Sequence, residues 1–378
     1  MSSLTTELLP RLHSGTLSSA RGRIRPLVEC DLDQLRELRE RIGGDTARIS
    51  TASLQRFFFE SPWSDSEFSS LVYEDGSGRV IGCLGIIARP MIFRDHSIRA
   101  VVGHHLMVDP SRAGTRAGVE LARKFLRGPQ DLSLAFWNDF GRRIWTSFGG
   151  SVAPLHSLSW TRPLRPARYL LGMLRHRGLP LSAAVTLHPA CQAFDATMRV
   201  FGTAGAVQRP TASLSDDLDA VTMLSYLSTF ANDRTLRPCY TVHSLSWLLK
   251  TLGDTARDGD LHKIAIRTTG GRPLGWYVYY LNASGAAEVL QVGGRDDSIS
   301  EVLAHLFQHA RQQGAVEVSG TVDARWVGAL TQQHCAFHRP RNTWALVHSR
   351  DPRIGDAIHS GDAFLSKLEG APWLEIEA

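Results

Sequence analysis

Two neighbouring histidines, His104 and His105, stand just upstream of a glycine-containing loop. An imidazole with a pKa near about 6.5 suits removal of a proton from an ammonium nucleophile, directly or through water. Along a regular strand the two rings point to opposite faces, so at most one faces an acceptor. The plain alternative is one core histidine and one surface histidine. The loop that follows reads Val108-Asp109-Pro110-Ser111-Arg112-Ala113-Gly114-Thr115-Arg116-Ala117-Gly118 and runs into Val119-Glu120-Leu121-Ala122. A strand that ends in such a loop and opens a helix leaves outward backbone N–H groups and the positive end of a helix dipole. That combination suits a pyrophosphate, and Arg112 and Arg116 add mobile positive charge. Asp109 reads as a turn residue.

Downstream stands Asn138-Asp139-Phe140-Gly141-Arg142-Arg143-Ile144-Trp145-Thr146-Ser147-Phe148-Gly149. Taken with the loop, this segment resembles the GNAT superfamily of acyl-CoA-dependent N-acyltransferases. There a strand ending in Val-x-Pro leads into [Arg/Gln]-Gly-x-Gly-x-[Gly/Ala], and Asn-x-x-[Ala/Gly]-x-x-x-Tyr-x-x-x-Gly follows the fifth strand. Gly114 and Gly118 match the first pattern, while Ala113 and Arg116 replace its Arg/Gln and its middle Gly. Asn138, Gly141 and Gly149 match the second, and Trp145 stands at the tyrosine. The resemblance implies acyl-CoA as co-substrate and a primary amine as acceptor. It places the cofactor along Leu106, Met107 and Val108, on Arg112, Ala113, Gly114, Thr115, Arg116, Ala117 and Gly118, and at Asn138 and Arg142. It implies a catalytic set of His104 or His105, Asn138 and the Trp145 position, where the tyrosine would protonate the departing thiolate. An indole N–H is no acid near neutral pH. Either the thiolate leaves unassisted or another residue helps, and simple core packing is the alternative for Trp145.

Periodicity supplies the elements that must hold these groups. The first half reads as strand Ile24–Val28, a helix capped by Asp31 to Ile42, helix Thr51–Phe59, and strands Leu71–Tyr73, Val80–Ala88 and Ile98–Val108. Helix Gly118–Leu126, strand Leu132–Trp137, helix Phe140–Phe148 and a last strand His156–Trp160 follow. After helix Leu164–Arg177, Pro180 and Pro189 suggest a broken connector to about Arg209. The order then recurs more faintly: helices Leu218–Phe230 and Val242–Leu252, and strands Lys263–Arg267, Leu274–Tyr280 and Ala287–Val292. Helix Ile299–Gln312, strand Val316–Ser319, helix Trp326–Gln332 and strand Trp344–His348 complete it. The expected fold is mixed α/β (α+β), two tandem GNAT-like domains from an internal duplication. Residues 1–20 form a lead-in, 21–162 the acyl-CoA-binding catalytic domain, and 163–212 a basic connector with a short amphipathic helix. Residues 213–378 form the degenerate copy with a C-terminal helix. At the loop position that copy carries Arg295-Asp296-Asp297-Ser298, whose acids would repel a pyrophosphate and suit a helix cap.

With 43% apolar and 21% charged residues the 378-residue chain has the composition of a packed globular protein. Its five scattered cysteines show no CxxC pair and no disulfide framework, which fits a reducing, cytoplasmic setting. No signal-peptide pattern opens the chain and no apolar run is long enough to span a bilayer. No metal is expected: His305 and His309 sit one helical turn apart but lack a third ligand, so they read as an exposed helix face. The aromatic run Trp276, Tyr277, Tyr279, Tyr280 reads as sheet core.

Charge is uneven. Between Phe140 and Phe194 lie seven arginines and no Asp or Glu. Nucleic acid is not the expected partner, because aromatics and reader motifs are lacking. Peripheral contact with an anionic membrane, at the inner face, through Arg162–Arg177 is one reading, and a solvated connector is the other. The first would suit long-chain acylation of a lipid (sphingoid-type) amine, as in bacterial ceramide synthesis. A small amine acceptor and a non-catalytic CoA-binding protein are the remaining alternatives.

Overall fold

The computed structural model describes residues 22–43, 51–110, 116–200, 213–254, 259–340 and 343–370. The chain opens with β1 (Arg23–Pro26), α1 (Leu32–Gly43) and α2 (Thr51–Phe59). Strands β2 (Leu71–Glu74), β3 (Val80–Phe93) and β4 (His96–Val108) form an antiparallel meander. Helix α3 (Ala117–Leu126) carries the chain back to β5 (Leu132–Trp137), which lies parallel to β4. Then come α4 (Asp139–Ser147), β6 (Ser151–Val152) and β7 (Ser159–Pro163). A helical hairpin, α5 (Pro166–His176) and α6 (Leu181–Val200), joins the halves.

The second half repeats the plan with β8 (Ser213–Asp217), α7 (Ala220–Phe230), β9 (Leu236–Pro238) and α8 (Val242–Asp254). Strands β10 (Gly259–Thr268), β11 (Pro273–Asn282) and β12 (Ala286–Gly294) are its meander. Helix α9 (Ile299–Gln312) leads to β13 (Glu317–Thr321), parallel to β12. Helix α10 (Val327–Gln332), β14 (Ala336–His338), β15 (Trp344–Ser349) and α11 (Pro352–His359) end it.

The halves exchange strands. The first sheet runs β1-β2-β3-β4-β5-β15-β6, so its strand beside β5 comes from the end of the chain. The second runs β14-β7-β13-β12-β11-β10-β8, so the last strand of the first half completes it. Side chains explain the exchange. Trp160 on β7 is buried against Phe307 of α9, donates Nε1–H to the Thr321 carbonyl at 3.0 Å, and lies over Gly320, where a Cβ would come within 2.8 Å of the ring. Trp145 of α4 donates Nε1–H to the carbonyl of Val347 on β15 at 3.0 Å. Each tryptophan thus anchors a strand contributed by the other half.

One apolar core runs through both halves, from Val102 and Leu132 to Trp276, Phe307 and Ile358. A second lies under α3 and α4, and a third under α1 and α2. Strand β11 is buried along Leu274–Tyr280 because α7 and α9 both pack on it, so a near-continuous apolar run replaces alternation. Several expectations are corrected. Residues 181–200 are a helix that includes Pro189, not a broken connector; Pro180 merely precedes it. Asp31 accepts from the Val28 N–H at 3.0 Å and pairs with Arg25 before α1 rather than capping it from in front. Strands β8, β9 and β14 are short and carry no alternation that periodicity could detect.

Candidate functional site

Strand β4 is not regular where the histidines lie. Its register against β3 slips between Cys83↔Met107 and Gly85↔His104, and His105 has φ of 46°. Three steps on β4 face two on β3: a β-bulge. Left-handed backbone at a non-glycine residue carries local strain. The bulge overturns the expectation of opposite faces: the two rings meet, Nδ1 to Nδ1, at 2.7 Å. One Nδ1–H donates to the other ring's lone pair, so the neutral pair shares a proton.

Packing fixes the pair. Phe58 of α2 stacks on His104 with centroids 5.7 Å apart, and a Cβ on Gly85 would overlap the His104 ring. His104 is buried, and Arg89, also buried, lies near enough to bear on its charge. Burial, His105 and Arg89 hold the His104 pKa well below the ordinary histidine value. Burial and Arg39 push His105 down to about 4. Both rings are therefore neutral near pH 7 and able to accept a proton.

A gap opens beside the bulge. Parallel pairing of β4 with β5 stops at Gly103↔Ala135, although β4 continues to Val108 and β5 to Trp137. The strands part, with Leu106, Met107 and Val108 on one lip. The α3 N-terminus stands at the same end: Arg116 is exposed at its cap, and Ala117 and Gly118 are buried, Gly118 against Val108. Arg112, Ala113, Gly114 and Thr115 lie outside the described residues.

Asn138 caps α4, its Oδ1 accepting from the Gly141 N–H at 3.0 Å. Gly141 is required there because a Cβ would lie 2.7 Å from the Trp137 Cβ. Gly149, with φ of 86°, takes the chain out of that helix. Arg142 pairs with Asp139 at 3.2 Å and lies over Trp344. Trp145 is fully buried between Phe125 and Trp137, with its N–H spent on Val347. Its place is that of a packing residue. Asp109 is no free turn residue either: it is buried and ion-paired with Arg41 at 3.4 Å.

Further neighbours come from far along the chain. Arg89 lies 3.8 Å above the Trp63 ring and donates Nη2–H to the Leu368 carbonyl at 3.0 Å. Next to it, buried Glu369 accepts from the Tyr240 hydroxyl at 2.7 Å and from Gln291 Nε2 at 3.0 Å. Tyr240 is correspondingly held protonated, by burial first and the Glu369 charge second. Nothing local to these residues signals that they meet.

The second half repeats the bulge and the gap. The β11–β12 register slips between Val278↔Gln291 and Tyr279↔Val289, and β12–β13 pairing stops at Val289↔Gly320. Here the chain fills its own gap: Lys367 N–H donates to the Leu290 carbonyl at the bulge, and Phe364, Leu365 and Ser366 line what remains, a cavity of about 20 Å3. The helix after it is not capped by an acid. Ser298 is its N-cap, and Asp297 instead faces Arg272 and Arg295. His305 and His309 are not an exposed face, since each is half-buried and hydrogen-bonded at 2.9 Å to Tyr277 and Tyr279 of β11. Among the described residues no cluster of three His, Cys, Asp or Glu could hold a metal.

A groove of about 580 Å3 lies elsewhere, lined by Phe68, Leu71, Ile86, Val101, Arg123 and Lys124. None of the described candidate residues lines it.

No protein-family model and no curated protein matches the sequence. Solved structures do. A conserved protein of Enterococcus faecalis described as a probable N-acyltransferase aligns over 87% of this chain and 72% of its own, at 10% identity and a TM-score of 0.56. A GCN5-related N-acetyltransferase of Kribbella flavida covers 89% and 72%, at 12% identity and 0.55. Saccharomyces cerevisiae N-myristoyltransferase, solved with bound myristoyl-CoA, covers 89% and 80%, at 11% identity and 0.52. The chain has the GNAT-type N-acyltransferase fold, and the alignments run through both of its halves.

Proposed function

We propose that the protein is an acyl-CoA-dependent N-acyltransferase whose working site is the gap between β4 and β5. The observation that carries this reading is the neutral imidazole pair at the bulge, set where β4 leaves β5 on the strand whose end, Val108, packs on Gly118 at the start of α3. The cofactor's pyrophosphate would sit on the segment from Arg112 to Gly118, where helix N–H groups and Arg116 favour an anion. Its arm would pass Leu106–Val108, with Asn138 and Arg142 on the opposite lip. The yeast neighbour, solved with myristoyl-CoA, supports an acyl-CoA as the donor.

The amine attacks the thioester carbonyl, and the tetrahedral adduct collapses with loss of the CoA thiolate. The new N–C bond replaces the C–S bond, and the surplus proton on nitrogen passes to the histidine pair, directly or through water. Because Trp145 is sealed in the core, the thiolate leaves without its help; a thiol pKa near about 8.5 makes it a fair leaving group. The second half, its gap closed by its own C-terminal segment, serves as scaffold.

The test is release of CoA thiol from acyl-CoAs of several chain lengths, with a panel of primary amines and mass detection of the amide. Amide formation that depends on the histidine pair is expected. Absence of measurable CoA binding by calorimetry would remove the reading altogether, and CoA binding with no transfer to any amine would favour a non-catalytic CoA-binding protein.

A further inference from the structure

The indole of Trp137 is buried at the end of β5, just past Ala135, where pairing with β4 stops. It is wedged between two glycines. Its Cε3 edge lies over Gly141 of α4, and its Cζ2 lies 3.4 Å from where a Cβ on Gly103 of β4 would stand. Nε1 and Cζ2 are bonded to the same ring carbon, so the N–H edge faces β4 and the head of the gap rather than α4. Among the described residues that N–H has no hydrogen-bond partner. By contrast, the indoles of Trp145, Trp160, Trp276 and Trp344 donate to Val347, Thr321, Gln291 and Asp139. Trp326, also without a partner, borders the cavity of about 20 Å3 in the second half, which has room for a water. A buried donor left unpaired costs stability, so its presence at the gap calls for an acceptor that arrives with a ligand.

We propose that Trp137 Nε1–H donates to the thioester carbonyl oxygen of the acyl-CoA and stabilises the oxyanion that forms there when the amine attacks. The inference rests on the acyl-transfer reading and adds a catalytic residue to it. Position favours the thioester over the rest of the cofactor: Gly103 directly precedes His104, so the donor lies beside the proposed base. Successive strand residues point to opposite faces. Gly103 meets Phe125 and Trp137 on the side of α3 and α4, whereas His104 meets Phe58 of α2 on the other. Donor and base therefore flank the gap from the two faces of the sheet. As the C–N bond forms, the carbonyl π pair moves onto oxygen, where the N–H meets it. It returns as the C–S bond breaks, and the thiolate leaves with the C–S pair. The surplus proton goes to the histidine pair; Trp137 gives up none, since an indole N–H is no acid near neutral pH. Half-buried Leu106, on the facing lip, packs against the same cluster and is the side chain that the incoming acyl group displaces.

NMR of the full chain, isotope-labelled at the tryptophan indole nitrogens, tests it, with the Trp137 resonance identified by its loss in Trp137→Phe. Acetyl-CoA is compared with S-ethyl-CoA, a thioether of the same length that lacks the carbonyl oxygen. The Trp137 indole proton should move downfield with acetyl-CoA and stay in place with S-ethyl-CoA. Equal shifts from the two, or no shift while calorimetry shows both bound, overturn the assignment and leave the acyl-CoA reading standing. Binding of neither removes that reading and this one together. Turnover gives a second measurement. Replacing Trp137 by benzothienylalanine keeps the fused ring and removes the N–H. It should lower kcat about 10²–10³-fold while acyl-CoA affinity and melting temperature stay as in the wild type. An unchanged kcat in that variant equally overturns the proposal.

Discussion

His104 Nδ1 lies 2.7 Å from His105 Nδ1, between residues adjacent in a strand. In a regular strand these rings would face opposite ways; the bulge, with left-handed backbone at His105, brings them together. Local strain is tolerated where the surroundings over-determine it, and here Phe58 and Gly85 hold His104 in place.

The pair makes a definite pH prediction. Only neutral imidazole accepts a proton, so activity falls as pH drops through its pKa. With His105 pushed down to about 4 and His104 also lowered, kcat/KM should stay level from about pH 8 to about 5.5 on this account and fall at lower pH. Removing the accepting ring, by His104→Ala or His105→Ala, should cost about 10²–10⁴ in turnover. An acid limb centred near about 6.5 would show that the histidines are solvated rather than buried. Full activity in both alanine variants would exclude them as the base.

The same depression sets an acid limit on stability. The unfolded chain binds these protons near about 6.5 and the folded chain does not, so stability is lost as pH falls from there toward about 4. His156, also buried and pushed down to about 4, contributes in the same direction. Urea unfolding should show a midpoint that declines through this window, and less steeply in His156→Gln. A midpoint independent of pH across the window would contradict the lowered pKa of all three.

Gly114→Asp with Arg116→Glu places carboxylates where the cofactor's pyrophosphate is proposed to bind. CoA affinity should fall beyond calorimetric detection, while the melting temperature stays within a few degrees, since Arg116 is exposed. Unchanged affinity would move the cofactor elsewhere.

Trp145→Phe separates packing from chemistry. It leaves the Val347 carbonyl without its buried donor, a loss of about 1–3 kcal/mol in unfolding free energy. Turnover of the folded variant should change less than about threefold, since nothing links the indole to the leaving thiolate. A loss of about 100-fold in kcat with normal stability would restore a catalytic role.

Phe364→Ala opens the self-filled gap of the second half. A buried phenylalanine replaced by alanine costs about 3–5 kcal/mol, and Phe364 packs on Trp276 in the shared core. Denaturation should show a single transition at lower denaturant, because one core serves both halves. Two separated transitions would show that the halves fold independently.

The sequence by itself determined the order of the longer strands and of most helices, the doubled plan and the loop that resembles a CoA-binding motif, but not the short strands β8, β9 and β14 or helix α6. These are local properties: helix Thr51–Phe59, strand Leu132–Trp137 and helix Ile299–Gln312 fall where periodicity and caps put them. It also singled out His104 and His105 as candidates by residue type and place. Tertiary structure decided the rest. Strand pairing depends on which edge a side chain can bury against, so Trp160 over Gly320 and Trp145 on Val347 assign β7 and β15 to opposite sheets, although each reads as the end of its own half. A bulge is a mismatch between two strands and exists only once they pair, which is why the contact of His104 with His105 could not be read from alternation. Arg89, Tyr240 and Glu369 meet because the C-terminal segment fills a gap between strands, and a long-range closure of that kind leaves no periodic mark on the residues that make it.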